Sequence, residues 1–318
     1  MKLKRLTAWV FCGAFGAVLG YFAAQSRPET EVAAVPVSVP QPSIADPSTL
    51  QIEACGDIQL DWRRALAPCL LVQAGGKRLV FGAPLEADWT GIGALDAVFL
   101  FDGRPVTSGG LLGLRYETWF EGRPGPQLLI SGELSLDTLR ALDDALLVPD
   151  ALSQVEYPLR LDTRRAGFAV KPIPATRQNV MVFDTGDLKV FANSGLTDAG
   201  DQILAYRLVY GEETLHLYSC DSRLQRFDDE PSAVILPFVD KSELSSLLRI
   251  ATREKLEARQ FEISRLGRAC PSLRQAIDFA EQSGAGALIF PDTQMKIDAF
   301  PGAMDIDVRG AAVTSLGD

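Results

Sequence analysis

The stretch LDAVFLFDGRPVTSGGL, Leu95 to Leu111, sets an apolar run against a loop of charged and small residues. Ala97 to Phe101 is short, aliphatic and aromatic, as expected of a strand buried on both faces. Asp102, Arg104, Val106 and Thr107 follow, then Gly109-Gly110. A guanidinium offers five donors and no lone pair, so Arg104 cannot ligate a metal. Ser108 has no histidine near it in sequence to act as base, and a serine nucleophile ordinarily needs one. The whole chain holds a single histidine, His216.

The frame of this stretch resembles the metal-binding loop of metallo-β-lactamase-fold hydrolases. There, a strand ending in Asp-Ala-hydrophobic opens into His-x-His-x-Asp-His-x-x-Gly-Leu. Asp96-Ala97-Val98-Phe99-Leu100 and Gly110-Leu111 match the two ends. Between them, Asp102 and Arg104 stand at the first two His positions, Val106 at the Asp and Thr107 at the third His. A zinc site needs imidazoles or thiolates converging at about 2.0–2.3 Å. One histidine cannot build a two-zinc centre.

The resemblance runs on through the chain and points to the ribonuclease Z and arylsulfatase-like branch. Cys55 to Pro84 is similar to its opening hairpin, with Gly75-Gly76-Lys77 at the turn and Gly82 where a supporting Asp would stand. Leu112 to Glu133 is similar to a helix leading into the next strand. In Leu188 to Asp221 the next metal-binding His falls on or beside Thr197, Tyr206-Arg207 and Ser219 are kept, and Cys220 replaces a Gly. Asp221 matches the metal-bridging aspartate. Ser272 to Pro291 resembles the helix-strand unit that delivers the last His, with Pro291 in its place.

The resemblance implies an α/β fold, the four-layer αββα sandwich, over residues 51–318. It also implies a vestigial pocket made of Asp102, Arg104, Val106, Thr107, Thr197, Cys220, Asp221 and Pro291, with no metal and no cofactor. A lone buried carboxylate is costly, so Asp221 is expected to pair with Arg104. His216, in an alternating strand with no Cys or His beside it, reads as structural. The tract Tyr116 to Phe120 reads as core in preference to a ligand groove.

With 47% hydrophobic residues, the 318-residue chain has ample material for a core. Its net charge of −10 argues against a nucleic-acid surface, which needs a basic patch. Lys2, Lys4 and Arg5 precede an uncharged apolar run from Leu6 to Ser26. Such a run is long enough to span a bilayer with its basic flank in the cytoplasm, so residues 1–26 are expected to be a transmembrane anchor. A cleavable signal peptide is the alternative. Residues 27–50 contain prolines 28, 36, 40, 42 and 47 and read as a semi-rigid spacer. The body would then be extracytoplasmic, in the periplasm, whether anchored or released.

Five cysteines suit an exported protein. With Cys12 in the anchor, the other four allow three connectivities. The related fold pairs the strands of Cys55 and Cys69, which implies a bridge there. Its frame also brings Cys220 and Cys270 near the pocket, where a second bridge would cross it. Two pairs of buried thiols are the other reading.

Strand signals recur from Leu70 to Phe290, and helical periodicity is expected over Leu134–Leu147, Lys241–Leu266 and Leu273–Gln282. The function expected is binding or scaffolding by a membrane-anchored pseudoenzyme, its ligand a protein or a small molecule. The alternative is a divergent hydrolase with oxygen ligands around Asp221, for which Asp198 and Asp240 are the other acids at hand.

Overall fold

The computed structural model describes residues 49–55, 68–85, 87–290, 306–309 and 312–315, all within the unit Pro42–Asp318. The expected anchor and most of the linker lie outside the described residues. No described helix is long and apolar enough to cross a membrane.

The chain opens with β1 (Leu50–Ala54), β2 (Leu70–Ala74), β3 (Lys77–Phe81) and β4 (Ala97–Phe99). β2 and β3 form a hairpin closed by Gly75 and Gly76, both at positive φ, as a two-residue turn of the right twist requires. Helices α1 (Pro105–Ser108) and α2 (Leu111–Phe120) lead to β5 (Gln127–Gly132). Helices α3 (Leu136–Ala145) and α4 (Leu147–Glu156) then precede β6 (Phe168–Ile173). A meander follows: β7 (Val180–Asp184), β8 (Leu188–Leu196), β9 (Gln202–Tyr210) and β10 (Glu213–Leu217). β11 (Ala233–Ile235), α5 (Lys241–Arg253), α6 (Glu257–Ala269), α7 (Leu273–Gln282), β12 (Ala287–Phe290), β13 (Ile306–Arg309) and β14 (Ala312–Ser315) complete it.

These strands make two seven-stranded mixed sheets, ordered β13-β1-β2-β3-β4-β5-β6 and β14-β12-β11-β10-β9-β8-β7. Alternate residues of each sheet turn to the other and form one shared apolar core, including Leu79, Phe81 and Phe99 from the first and Tyr206, Leu208 and Leu217 from the second. The outer face of the first sheet packs Val80, Val98 and Leu129 against Leu111, Leu114 and Leu139 of the helices. That of the second packs Val234 and Leu288 against Ala276 and Phe279 of α7. The layers therefore run helix, sheet, sheet, helix, and near-continuous burial explains why β4 and β11 read as unbroken apolar runs.

The helical period across Lys241–Leu266 is interrupted, and two helices replace the one expected. Lys255 takes a left-handed conformation (φ 55°), Leu256 N–H donates to the Ala251 carbonyl and Lys255 N–H to that of Thr252. This pair of bonds is a Schellman stop. Likewise the helical run beginning near Leu134 does not end at Leu147; it breaks at Leu146 and resumes as α4.

Candidate functional site

The two sheets are tied together beneath the Asp102 loop. Phe81 and Phe99 stack at 4.5 Å, and Tyr206 of the opposite sheet meets Phe81, Phe99 and Phe101 edge-on at 5.4–5.5 Å. The Tyr206 hydroxyl donates to the Leu100 carbonyl at 2.5 Å, and Leu204 N–H to that of Phe101 at 2.7 Å. Burial, with the Asp102 charge nearby, holds the Tyr206 phenol well above its ordinary pKa. A rigid floor is thus set under the loop.

On this floor the chain turns sharply. Arg104 is extended (φ −72°, ψ 145°) and Pro105 starts α1, its fixed φ suited to a first helical position. Asp102, its side chain fully buried, accepts the Arg104 backbone N–H at 2.9 Å and the Thr107 hydroxyl. Thr107 and Ser108 also donate to the Arg104 carbonyl, at 2.9 and 2.8 Å. Val106 is the second residue of α1. The sequence Asp-Gly-Arg-Pro-Val-Thr-Ser thereby folds into a self-bonded turn that aims one guanidinium inward.

That guanidinium joins two carboxylates. Arg104 Nη2 lies 2.5 Å from Asp102 Oδ2 and Nη1 lies 2.5 Å from Asp221 Oδ2. Arg265 of α6 stands 3.8 Å from the same Asp221 oxygen. The side chains of Arg104 and Asp221 are only 11% and 13% exposed, so the network is largely withdrawn from water. Burial by itself would lower the Arg104 pKa, but its bond to Asp102 and the charges of Asp102 and Asp221 outweigh that and raise it. The arginine stays charged.

Asp221 is presented by a tight turn in which Ser219 N–H donates to Ser222 Oγ at 2.8 Å and Ser222 N–H to Ser219 Oγ at 3.2 Å. Buried Cys220 beside it is disulfide-bonded to Cys270 at the end of α6. The other expected bridge is not formed: Cys55 and Cys69 stand opposite one another just past the paired ends of β1 and β2 but are not joined. Cys55 N–H donates to the Cys69 carbonyl at 2.9 Å. The Cys69 thiol points to the Gly82 carbonyl at 3.8 Å.

Thr197 does not join the network. Its hydroxyl accepts from Asp201 N–H at 3.1 Å in the β8–β9 turn, and among the described residues it bonds to neither Arg104 nor Asp221. Asp240 caps α5, accepting from the backbone N–H groups of Ser242 and Glu243. Pro291 lies outside the described residues. Arg265 had no motif to announce it, being one of several arginines on a helix.

The donor set does not fit zinc. Two carboxylates converge on a guanidinium, Cys220 is committed to a disulfide, and among the described residues no group of three or more His, Cys, Asp or Glu could hold a metal. The supporting Asp of the related loop also has no room. Gly82 sits at φ 83°, and a Cβ there would run into the Pro68 carbonyl. His216 is remote in chemistry as well: it packs on Phe227 at 4.9 Å, 3.3 Å from Asp229, and burial pulls its pKa down to about 4.

Two mixed sheets face to face between helices, with this loop at one strand end, form the architecture to be compared with known proteins. Solved structures that it resembles include metallo-β-lactamase-fold proteins. Among them are YhfI from Bacillus subtilis (13% identity, 85% of this chain and 100% of that one, TM-score 0.46) and the short form of human tRNase Z (10%, 85% and 99%, TM-score 0.46). A diphosphatase of the PhnP family is similar at 12% identity, over 82% of this chain and 94% of that one, with TM-score 0.42. No family model matches the chain, and no curated protein matches it in sequence. Likeness at this level assigns no activity.

Proposed function

We propose that this chain is a metallo-β-lactamase-fold pseudoenzyme, whose role is binding or scaffolding. The observation that carries this reading is the Arg104 guanidinium bonded at once to Asp102 and Asp221. Where a hydrolase would need an open metal position or a base beside a nucleophile, this chain has a guanidinium held between two carboxylates. A guanidinium has no lone pair to take a proton and no vacant position for water. Fixed charge there serves the loop's conformation.

The reading extends to location. The basic residues Lys2, Lys4 and Arg5 ahead of Leu6–Ser26 support an anchor with the body extracytoplasmic. The Cys220–Cys270 disulfide supports an oxidising compartment. A reporter active only outside the cytoplasm, fused after Asp318, is expected to be active in membrane fractions, and full-length chain in the soluble cytosol would contradict the topology. For the chemistry, the purified full-length chain with added zinc or manganese is expected to hydrolyse phosphodiesters and sulfate esters no faster than the Asp221→Ala variant. Turnover lost on Asp221→Ala would replace this reading with a divergent hydrolase.

A further inference from the structure

His216, the single histidine of the chain, is 1% exposed, and among the described residues neither ring nitrogen has a hydrogen bond. Leu215 and Leu217 on either side of it in β10 turn into the shared core, so the imidazole lies on the outer face of the second sheet. Water is kept from it by residues 225–230, the segment between the Asp221 turn and β11. Phe227 lies against the imidazole at 4.9 Å, and its N–H donates to the Tyr218 hydroxyl. Arg207 of β9 stacks on Phe191 at 4.3 Å and on Phe227 at 5.6 Å. Asp229 reaches Arg207 Nη1 at 3.1 Å with one oxygen, while the other stands 3.3 Å from His216 Nε2, out of line for a hydrogen bond. The segment is fixed at both ends, by the Ser219–Ser222 bonds and by Ser232 N–H donating to the Thr214 carbonyl at 2.8 Å.

One carboxylate here faces two basic groups. The charged groups around the imidazole are Arg207 from β9 and Asp229 from the segment. β10 itself adds Tyr218, β11 sets uncharged Val234 beside it in register, and α7 brings Phe279 against Tyr218. Arg207 is always charged and already holds Asp229. A protonated His216 would be a second buried cation without a carboxylate of its own, which is strongly unfavourable until water reaches it. Water reaches it when Phe227 lifts. We propose that residues 225–230 are an acid-released strap: protonation of His216 lifts Phe227 and Asp229 off β9 and β10 and uncovers the Phe191 and Arg207 face of the second sheet.

The test uses the purified full-length chain. Burial holds the closed imidazole at about 4, while a solvated one returns to 6.5, so each pH unit between those values favours the open strap about tenfold. Amide hydrogen exchange at pH 7 and pH 5, corrected for its intrinsic pH dependence, should therefore show protection of the Phe227 amide falling about twentyfold. Amides paired between β8 and β9 should stay protected, and His216→Gln should abolish the pH dependence. The single histidine gives a second readout that needs no substitution, because its ring resonance is unambiguous by NMR and should titrate well below 6.5. A Phe227 amide indifferent to pH overturns the strap, as does a pH dependence that survives in His216→Gln. Equal loss of protection in β8, β9 and the strap would report unfolding of the whole body, and an imidazole titrating at 6.5 while the Phe227 amide stays protected would show that no opening is needed; either result overturns it too.

Discussion

Breaking the Arg104 network costs this protein more than the intact network contributes. A buried ion pair gains little net stability over a well-packed apolar substitute, but removing one partner leaves an uncompensated charge. Asp221→Ala leaves Arg104 paired with Asp102, so it is expected to cost ~1.5–3 kcal/mol in denaturant unfolding, whereas an exposed pair would lose under ~1 kcal/mol. A double-mutant cycle with Arg104→Met separates coupling from stranding; because Asp102 also holds the guanidinium, Arg104→Met alone should be at least as costly. His216 gives a second residue-level test. Its folded pKa, about 4, lies below the ordinary value of 6.5 because of burial, with the Arg207 charge acting in the same direction and Asp229 opposing. The folded state thus binds fewer protons than the unfolded between those values, so stability is full above pH 6.5 and falls as pH drops to about 4. The loss should approach 3 kcal/mol, and unfolding of His216→Gln should be flatter over the same window. The Arg104–Asp221 pair was legible because both residues sit at fixed offsets in recognisable motifs. Thr197 was misplaced because a His position carried over approximately landed in a hairpin turn that uses the hydroxyl for itself.

At the scale of elements, the disulfide fastens the Asp221 turn to the end of α6 across a sequence separation of 50 residues. Replacing Cys220 and Cys270 together by serine should cost ~2–5 kcal/mol, and a non-reducing peptide map should join the Cys220 and Cys270 peptides while showing no Cys55–Cys69 link. A map with the opposite pairing would refute the placement of α6. Strands were largely readable from their apolar runs, but pairing chemistry was not: whether two opposed cysteines bridge depends on where their thiols are aimed, here the Cys69 thiol toward the Gly82 carbonyl, and sequence carries no sign of it. The break between α5 and α6 was hidden for a similar reason. Glycine is the usual residue at a left-handed helix stop, and here Lys255 takes that conformation. The exposure of Val148, Leu152 and Val155 on α4 was likewise unreadable, since periodicity reveals an apolar face without saying which way it points.

For the whole molecule, the layer order follows from alternating burial on two sheets and apolar faces on the helices that cover them, which is why motif frame and strand pattern together foretold it. β13 and β14 were missed because each is only four residues long and is added at the edge of a sheet. An arginine-centred network stands where the motif that Leu95–Leu111 resembles would gather zinc ligands. Elemental analysis of the purified full-length chain, after exposure to excess zinc and desalting, tests this most directly. The account predicts zinc far below one ion per chain, unchanged in Asp221→Ala; one or two tightly held zinc ions per chain, lost on Asp221→Ala, would contradict it.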